Sequence, residues 1–413
     1  MTRLSCYVGI FVQAIVCNIT AILFIPMMDL YGFSYVQLGT LVAVNFTAQV
    51  AVDIIFSGMI DKFGYRKIAL PAIFCGFIGL VLFAASPLIF DDVFLGIVIS
   101  TVIFAASSGL LEIMVSPIAN SLPSANKGAS MSLMHSFYAW GQVATIIITT
   151  LFIFIFGGKY WQIIVLFWSI VPLINFFMFA KSPFPKTVTQ GTGATVKKIF
   201  FQPFYIIALL AIFFGAGTEL VLGQWSSSFM EKALELPKLV GDMLGMCGFA
   251  LMMAFGRTFY GIKGAQLKMS RVLILGSAIS LVCYVTVALS PVTWINVLAC
   301  AVTGLASSLL WPGTLVISAS RFPLAGAWMF AILAAAGDIG GAFAPWLTGV
   351  IVDYTGESPV TIALSNVLSV SGEQAGMRLG ILVAALFPLL AMICHITLNK
   401  MFKKAKEKEI CEE

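Results

Sequence analysis

Residues 57–67 read SGMIDKFGYRK, a polar, glycine-containing interruption between two long apolar runs. Gly64 can take the backbone conformations that a tight reversal between two helices needs. Asp61 can face the positive N-terminal end of a neighbouring helix. Lys62, Arg66 and Lys67 favour keeping the loop on the cytoplasmic side of a membrane. Asp61, Lys62, Gly64, Arg66 and Lys67 are therefore read together as a short cytoplasmic loop between two spans.

The flanking runs belong to a series. The chain has 413 residues, 60% hydrophobic and only 10% charged, where a soluble domain carries about 25% charged residues. Twelve apolar runs are expected to be membrane spans: 4–29, 36–60, 68–86, 94–121, 129–157, 160–180, 203–229, 238–262, 270–290, 294–319, 324–351 and 376–401. Each is about as long as a helix that crosses a bilayer. Helices satisfy their own backbone in lipid, and runs this continuous do not read as barrel strands. The first run starts directly after Met-Thr-Arg and is too long for a cleavable leader.

With both termini placed in the cytoplasm, 19 of the 23 basic residues fall in inner segments, Arg257 among them. The other 4 are Lys159, Lys232, Lys238 and Arg378 in outer segments. This bias predicts a multi-pass protein of the cytoplasmic membrane. The net charge of +5 is then a topology signal, and no nucleic-acid partner is expected. No cysteine of the eight falls in an outer loop, so no disulfide framework is expected. The chain is read as a monomer in the bilayer.

The longest interior polar stretch, KSPFPKTVTQGTGATVKK at 181–198, reads as a cytoplasmic linker. It divides the spans six and six. The expected organisation is an N-terminal half (1–180), a linker (181–202), a C-terminal half (203–401) and a tail (402–413). An internal repeat supports the halving: ASSGLLE (106–112) echoes ASSLLWP (306–312), GASM (128–131) echoes GAWM (326–329), and Gly58 echoes Gly256. The predicted fold class is an all-α integral membrane protein, with twelve transmembrane helices in two pseudo-symmetric six-helix halves around a central cavity. That is a transporter architecture.

The 57–67 stretch resembles the signature G-x-x-x-D-[RK]-x-G-x-[RK]-[RK] of the major facilitator superfamily, in the loop between its second and third spans. Asp61, Lys62, Gly64, Arg66 and Lys67 match, while Ser57 takes the first glycine position; the resemblance implies that these five residues form a gating motif.

Four acids lie inside predicted spans: Asp53, Glu112, Glu219 and Asp338. Ionisable groups at membrane depth are costly, face the interior and are functional candidates. On the fourth span, Ser108, Glu112 and Ser116 are spaced i, i+4, i+8, which gives one polar stripe. On the fifth, His135, Tyr138, Gln142, Thr145 and Thr149 share a face. Glu112 and His135 have similar depths and can meet. Gln13 and Asn18 supply uncharged polarity in the first span. In the seventh, GAGTELVLGQW holds Glu219, Gln224 and Trp225, with glycines that would permit a bend. Trp140, Trp225 and Trp311 are placed to line the centre. Aromatic faces beside amides and carboxylates suit a sugar, whose C–H face stacks while its hydroxyls hydrogen-bond. Trp161 and Trp294, beside outer loops, read as interface anchors.

Within the superfamily, LLEIMVSPIANSLP (110–123) and LMHSFYAWG (133–141) resemble the fucose-permease-like branch, with its patterns L-E-x-x-x-[NS]-P and L-x-Q-T-F-N-x-x-G. The resemblance implies that Glu112 handles a proton. It also implies that His135 and Tyr138 stand where the branch has sugar-contacting amides. The branch's aspartate four residues before a first-span proline is replaced by Ile22 here, before Pro26.

The expected coupling acids are Glu112, Glu219 and Asp53. The expected substrate contacts are Gln13, Asn18, His135, Tyr138, Gln142, Glu219, Gln224, Trp225 and Trp311, and Asp338 is read as a conformational latch. No phosphate loop, metal-ligand spacing or Ser-His-Asp set is present, so no cofactor, metal or enzymatic activity is expected. The coupling ion is read as H+, with Na+ open. The leading expectation is proton-coupled symport of a small sugar or polyol by alternating access. The alternatives are a proton-coupled exporter of drugs or metabolites and sodium-coupled sugar uptake. Export is disfavoured because the fourth span has no arginine and the fifth no Gly-Pro, both of which mark exporters of the superfamily.

Overall fold

In a computed structural model of the chain, every regular element among the described residues is helical. The described residues exclude 34, 57–58, 185–198, 264–266, 324, 326, 355–357 and 413. Most of the expected linker, Gly58 of the repeat and the side chain of Asp61 therefore lie outside them. The helices are α1 (Thr2–Ile22), α2 (Phe24–Tyr31), α3 (Tyr35–Phe56), α4 (Met59–Phe63), α5 (Tyr65–Ile89), α6 (Val93–Ser121), α7 (Lys127–Phe156) and α8 (Trp161–Lys181). After the linker come α9 (Pro203–Lys232), α10 (Lys238–Gly241), α11 (Gly248–Lys263), α12 (Met269–Leu289), α13 (Thr293–Ser307) and α14 (Leu310–Arg321). The last four are α15 (Ala327–Tyr354), α16 (Pro359–Leu368), α17 (Gly372–Ala384) and α18 (Leu386–Glu412). A π-helical segment, Asp242–Cys247, joins α10 to α11.

Among the described residues, 11 helical segments are long and apolar enough to cross a membrane, and α3 contributes a shorter apolar helix, Thr40–Phe56. These are the twelve expected spans, in order. Helix α16 has no counterpart among them. It begins as its sequence dictates, with Ser358 capping the backbone N–H of Thr361 and Pro359 in the first turn.

Three spans are broken, and each break has the same chemical position. Proline has no N–H for the carbonyl four residues earlier. Helix α1 ends at Ile22, four before Pro26; α13 gives way at Ser308, four before Pro312; α17 ends at Ala384, four before Pro388. Proline alone does not force a break, because Pro71, Pro87, Pro117, Pro172 and Pro345 sit inside continuous helices.

By mutual packing the chain divides into two units, 1–191 with 324–335, and 192–323 with 336–413. In the first, Ile15, Ile19, Leu80, Phe83, Phe104 and Trp161 form a fully buried core. The Phe83 ring meets Phe104 and Trp161 edge-on at 5.6 Å. Trp161 is thus a core residue and not the interface anchor expected, and its indole N–H donates to the Tyr31 hydroxyl. Gly64 has φ +81° at the turn into α5, as the loop reading requires. Arg66 donates to the carbonyls of Ala180 (2.9 Å) and Ser182 (2.6 Å), and Lys127 to that of Asn120 (2.6 Å). These cations sit on the negative C-terminal ends of α8 and α6. Lys62 and Lys67 are exposed.

Two of the charges used for topology are not loop residues. Arg257 and Arg378 are buried, at 3% and 2% exposure. Arg378 donates to the carbonyl of Ser290 (2.7 Å) beyond the end of α12, and its guanidinium lies over the Phe229 ring at 5.6 Å. Taking Arg257 from the 19 inner residues and Arg378 from the 4 outer ones leaves 18 against 3, so the bias survives.

Helix α7 packs on α1 at Gly141, where a Cβ would lie 2.8 Å from Ala14 Cβ and 3.2 Å from the Phe11 carbonyl oxygen. The backbone there cannot yield cheaply. Gly141→Leu is expected to destabilise the first unit by at least about 1–3 kcal/mol, the usual cost of overpacking. Gly9→Ala, where the nearest atom is a Leu111 methyl at 3.4 Å, should leave the thermal midpoint in detergent unchanged. Equal midpoints for the two variants would contradict the assigned helix contact.

Candidate functional site

Each unit buries its own set of polar side chains. In the first, α6 carries the Ser108–Glu112–Ser116 stripe, and all three residues are buried. Each is met by a different helix. Gln13 of α1 donates its amide Nε2 to Glu112 Oε2 at 2.6 Å. Ser108 donates to Gln49 Oε1 of α3 at 2.8 Å. Ser116 Oγ lies 3.2 Å from His135 Nε2 of α7. His135 thus meets α6 at Ser116, one helical turn along from Glu112.

Helix α3 answers α6 with a stripe of its own. Asn45, Gln49 and Asp53 are spaced i, i+4, i+8 and are buried at 4%, 1% and 0% exposure. Gln49 Nε2 donates to Asn45 Oδ1 (2.7 Å), and Asn45 Nδ2 to the Val16 carbonyl of α1 (3.0 Å). The helices approach closely at Gly109, where a Cβ would lie 3.0 Å from the Gln49 carbonyl oxygen and 3.3 Å from Asp53 Oδ1. Of this stripe the sequence reading singled out Asp53 only. The i, i+4, i+8 spacing that exposed the α6 stripe was equally available here. Cys17 adds a thiol to the network, 3.4 Å from Ser108 Oγ.

A further link joins α1 to α7. Gln142 Nε2 donates to Asn18 Oδ1 at 3.2 Å, and Asn18 Nδ2 donates to the Ala14 carbonyl at 2.8 Å. Tyr138 is half-buried on the same face of α7. The far end of that face is packing, because Thr149 accepts the Trp168 indole N–H at 2.9 Å. Trp140 does not join the set. It lies on the opposite side of α7 at helical spacing and is 41% exposed.

The second unit is built on charge. Arg257 Nη2 of α11 donates to both carboxylate oxygens of Glu219 on α9, at 2.8 and 2.9 Å. Glu219 is 6% exposed. Arg257 Nε donates to the Ser308 carbonyl at 2.7 Å, at the break between α13 and α14. Arg257 is the functional candidate that sequence reasoning missed. It lies six residues from the end of its span, where a basic residue reads as a snorkelling loop charge.

Helix α9 runs unbroken from Pro203 to Lys232. Its glycines serve packing: a Cβ at Gly215 would lie 3.1 Å from Leu310 Cβ, and one at Gly217 2.9 Å from Ala344 Cβ. Trp225 is half-buried, donates its indole N–H to the Pro345 carbonyl (3.2 Å) and lies against Gly349 of α15. Gln224, beside it, is half-buried. Trp311, in the first turn of α14, lies against Gly337, next to the buried Asp338. Among the described residues no group of His, Cys, Asp and Glu is arranged to hold a metal ion.

The fold has solved relatives. The Escherichia coli fucose:proton symporter, in a variant form, matches with a TM-score of 0.72 at 14% identity, over 96% of this chain and 98% of that one. A proton:xylose symporter bound to 6-bromo-6-deoxy-D-glucose matches with a TM-score of 0.74 at 14% identity, over 95% and 94%. A bacterial homologue of the human lysosomal transporter Spinster, inward-facing and occupied, matches with a TM-score of 0.69 at 14% identity, over 97% of each chain. No curated protein matches by sequence. The profile of the Major Facilitator Superfamily matches residues 6–269, well over half of the chain. A multi-pass, all-α membrane protein of twelve spans carrying that profile is a transporter and not an enzyme, and the chain belongs to the Major Facilitator Superfamily.

Proposed function

We propose that the chain is a secondary-active symporter that takes up a small sugar or polyol with a proton, by alternating access around a central cavity. The observation that carries this reading is the contrast between the two buried glutamates. Glu219 is held by a guanidinium, which can only donate. Glu112 is held by an amide, which donates through Nε2 to a carboxylate and can accept through Oε1 from a protonated acid. Gln13 can therefore keep Glu112 satisfied in both protonation states. A proton carrier inside a bilayer needs that, because an unsatisfied polar group there is costly.

Protonation of Glu112 removes a charge before the cavity reorients. In the first unit, the amides of Asn18 and Gln142, the His135 ring and the Tyr138 hydroxyl supply donors and acceptors for sugar hydroxyls. In the second unit, Glu219 and Gln224 supply them, with the faces of Trp225 and Trp311 for stacking. Asp53 is a second candidate for coupling, and Asp338 for a latch. The relatives named as proton-coupled fucose and xylose carriers make monosaccharides the first substrates to test. In this reading the linker and both termini are cytoplasmic. A protease site inserted between Gly191 and Gly193 should be cut only from the cytoplasmic side, and cutting from outside intact cells would invert the topology.

Uptake of a labelled sugar panel into proteoliposomes, with imposed proton and sodium gradients, tests the assignment directly. A proton gradient alone should drive accumulation. Glu112→Gln mimics the permanently protonated acid. It should keep sugar exchange within about threefold of wild type, a difference of well under 1.4 kcal/mol in the barrier, and lose gradient-driven accumulation. Glu219→Gln should instead weaken apparent sugar affinity. Accumulation by the Glu112→Gln carrier, with proton uptake intact, would move coupling to another acid.

A further inference from the structure

Arg257 touches two things that sequence keeps far apart: the carboxylate of Glu219, and the carbonyl of Ser308. The second contact has a specific cause. Ser308 is four residues before Pro312, so the N–H that would bond its carbonyl in a continuous helix does not exist. Inside a bilayer no water replaces it. Arg257 Nε occupies that role at 2.7 Å. The neighbouring residue makes room for it, since a Cβ at Gly256 would collide with the Ser308 side chain. Glycine at 256 brings α11 against the break, and arginine at 257 bonds it.

The same guanidinium carries a full charge at 3% exposure, and Glu219 neutralises it. Arg257 is thus fixed at both ends. The break it bonds is followed at once by Leu310 and Trp311. Glu219 and Trp311, two candidate substrate contacts, are therefore joined mechanically through one side chain.

We propose that Arg257 is a positioning residue that supplies the hydrogen bond Pro312 cannot, and that through it Glu219 sets the conformation of the break between α13 and α14. A change at Glu219 is transmitted to Ser308 and to the Trp311 turn. A ligand hydroxyl that competes for the Glu219 carboxylate acts on the same clamp. That last step rests on the sugar reading above, and the clamp itself does not.

The test needs no ligand. Amide hydrogen exchange of the full chain in lipid nanodiscs is followed for peptides over 305–315 and, as a control, over α6. Glu219→Gln should speed exchange over 305–315 by about tenfold, the scale of one weakened hydrogen bond, with the α6 peptides unchanged. Pro312→Ala restores the missing N–H to Ser308. In that background Glu219→Gln should leave 305–315 at its Pro312→Ala rate. Should Glu219→Gln fail to fold, Arg257→Lys takes its place in the same comparison, because one ammonium cannot span both partners. Exchange over 305–315 that is insensitive to these substitutions, or equally sensitive with Ala at 312, would overturn the proposal. A clamp confirmed this way while no sugar is transported would leave the clamp standing and remove the sugar reading.

Discussion

In lipid, a backbone carbonyl that loses its helical partner must find another donor, because the solvent offers none. The architecture of the second unit depends on how that demand is met at Ser308. Pro312 removes the donor, the helix breaks, and a charged side chain from α11 is drawn in to replace it. The charge then requires an acid, and Glu219 of α9 supplies it. One missing N–H thus accounts for a buried ion pair that ties three spans together. Removing either charge alone would leave the other buried, which costs far more than the pair contributes.

The chemistry around the buried glutamate of the first unit differs. Among the described contacts of the α6 stripe, the partners are amides, a thiol and an imidazole. Neutral partners tolerate a change in the charge of Glu112. A guanidinium does not tolerate the same change in Glu219 without losing its counter-ion. The two units place their glutamates in opposite electrostatic settings.

How much of this was legible follows from what a one-dimensional pattern can hold. The twelve spans were, because each is a run of apolar residues of bilayer length. The α6 stripe was, because its spacing is local. The α3 stripe of Asn45, Gln49 and Asp53 was equally local, but attention to charge alone selected only Asp53. The three breaks could be counted back from Pro26, Pro312 and Pro388, yet five other prolines leave their helices intact, so packing decides which ones break. Arg257 was not legible. Its partner is 38 residues away on another helix, and only the helix pairing converts a boundary cation into an interior one. Trp161 failed for a related reason: proximity to an outer loop says nothing about which face of α8 it occupies, and that face is the core.

Close backbone approach is what makes these polar contacts short enough to matter. Gly109 brings α3 to α6 where Gln49 meets Ser108, and Gly141 brings α7 to α1 one turn before Thr145 and beside Gln142. Gly256 does the same for α11 at the break. In each case the small residue sits within four positions of the polar residue that uses the approach. Small residues let helices in lipid come close enough for side chains to reach across, and the bonds they permit then fix the register of that approach. The glycines and the polar stripes are consequently one feature. Enlarging a glycine would lengthen the hydrogen bonds beside it, and its cost would include polar groups left unsatisfied at membrane depth as well as steric strain.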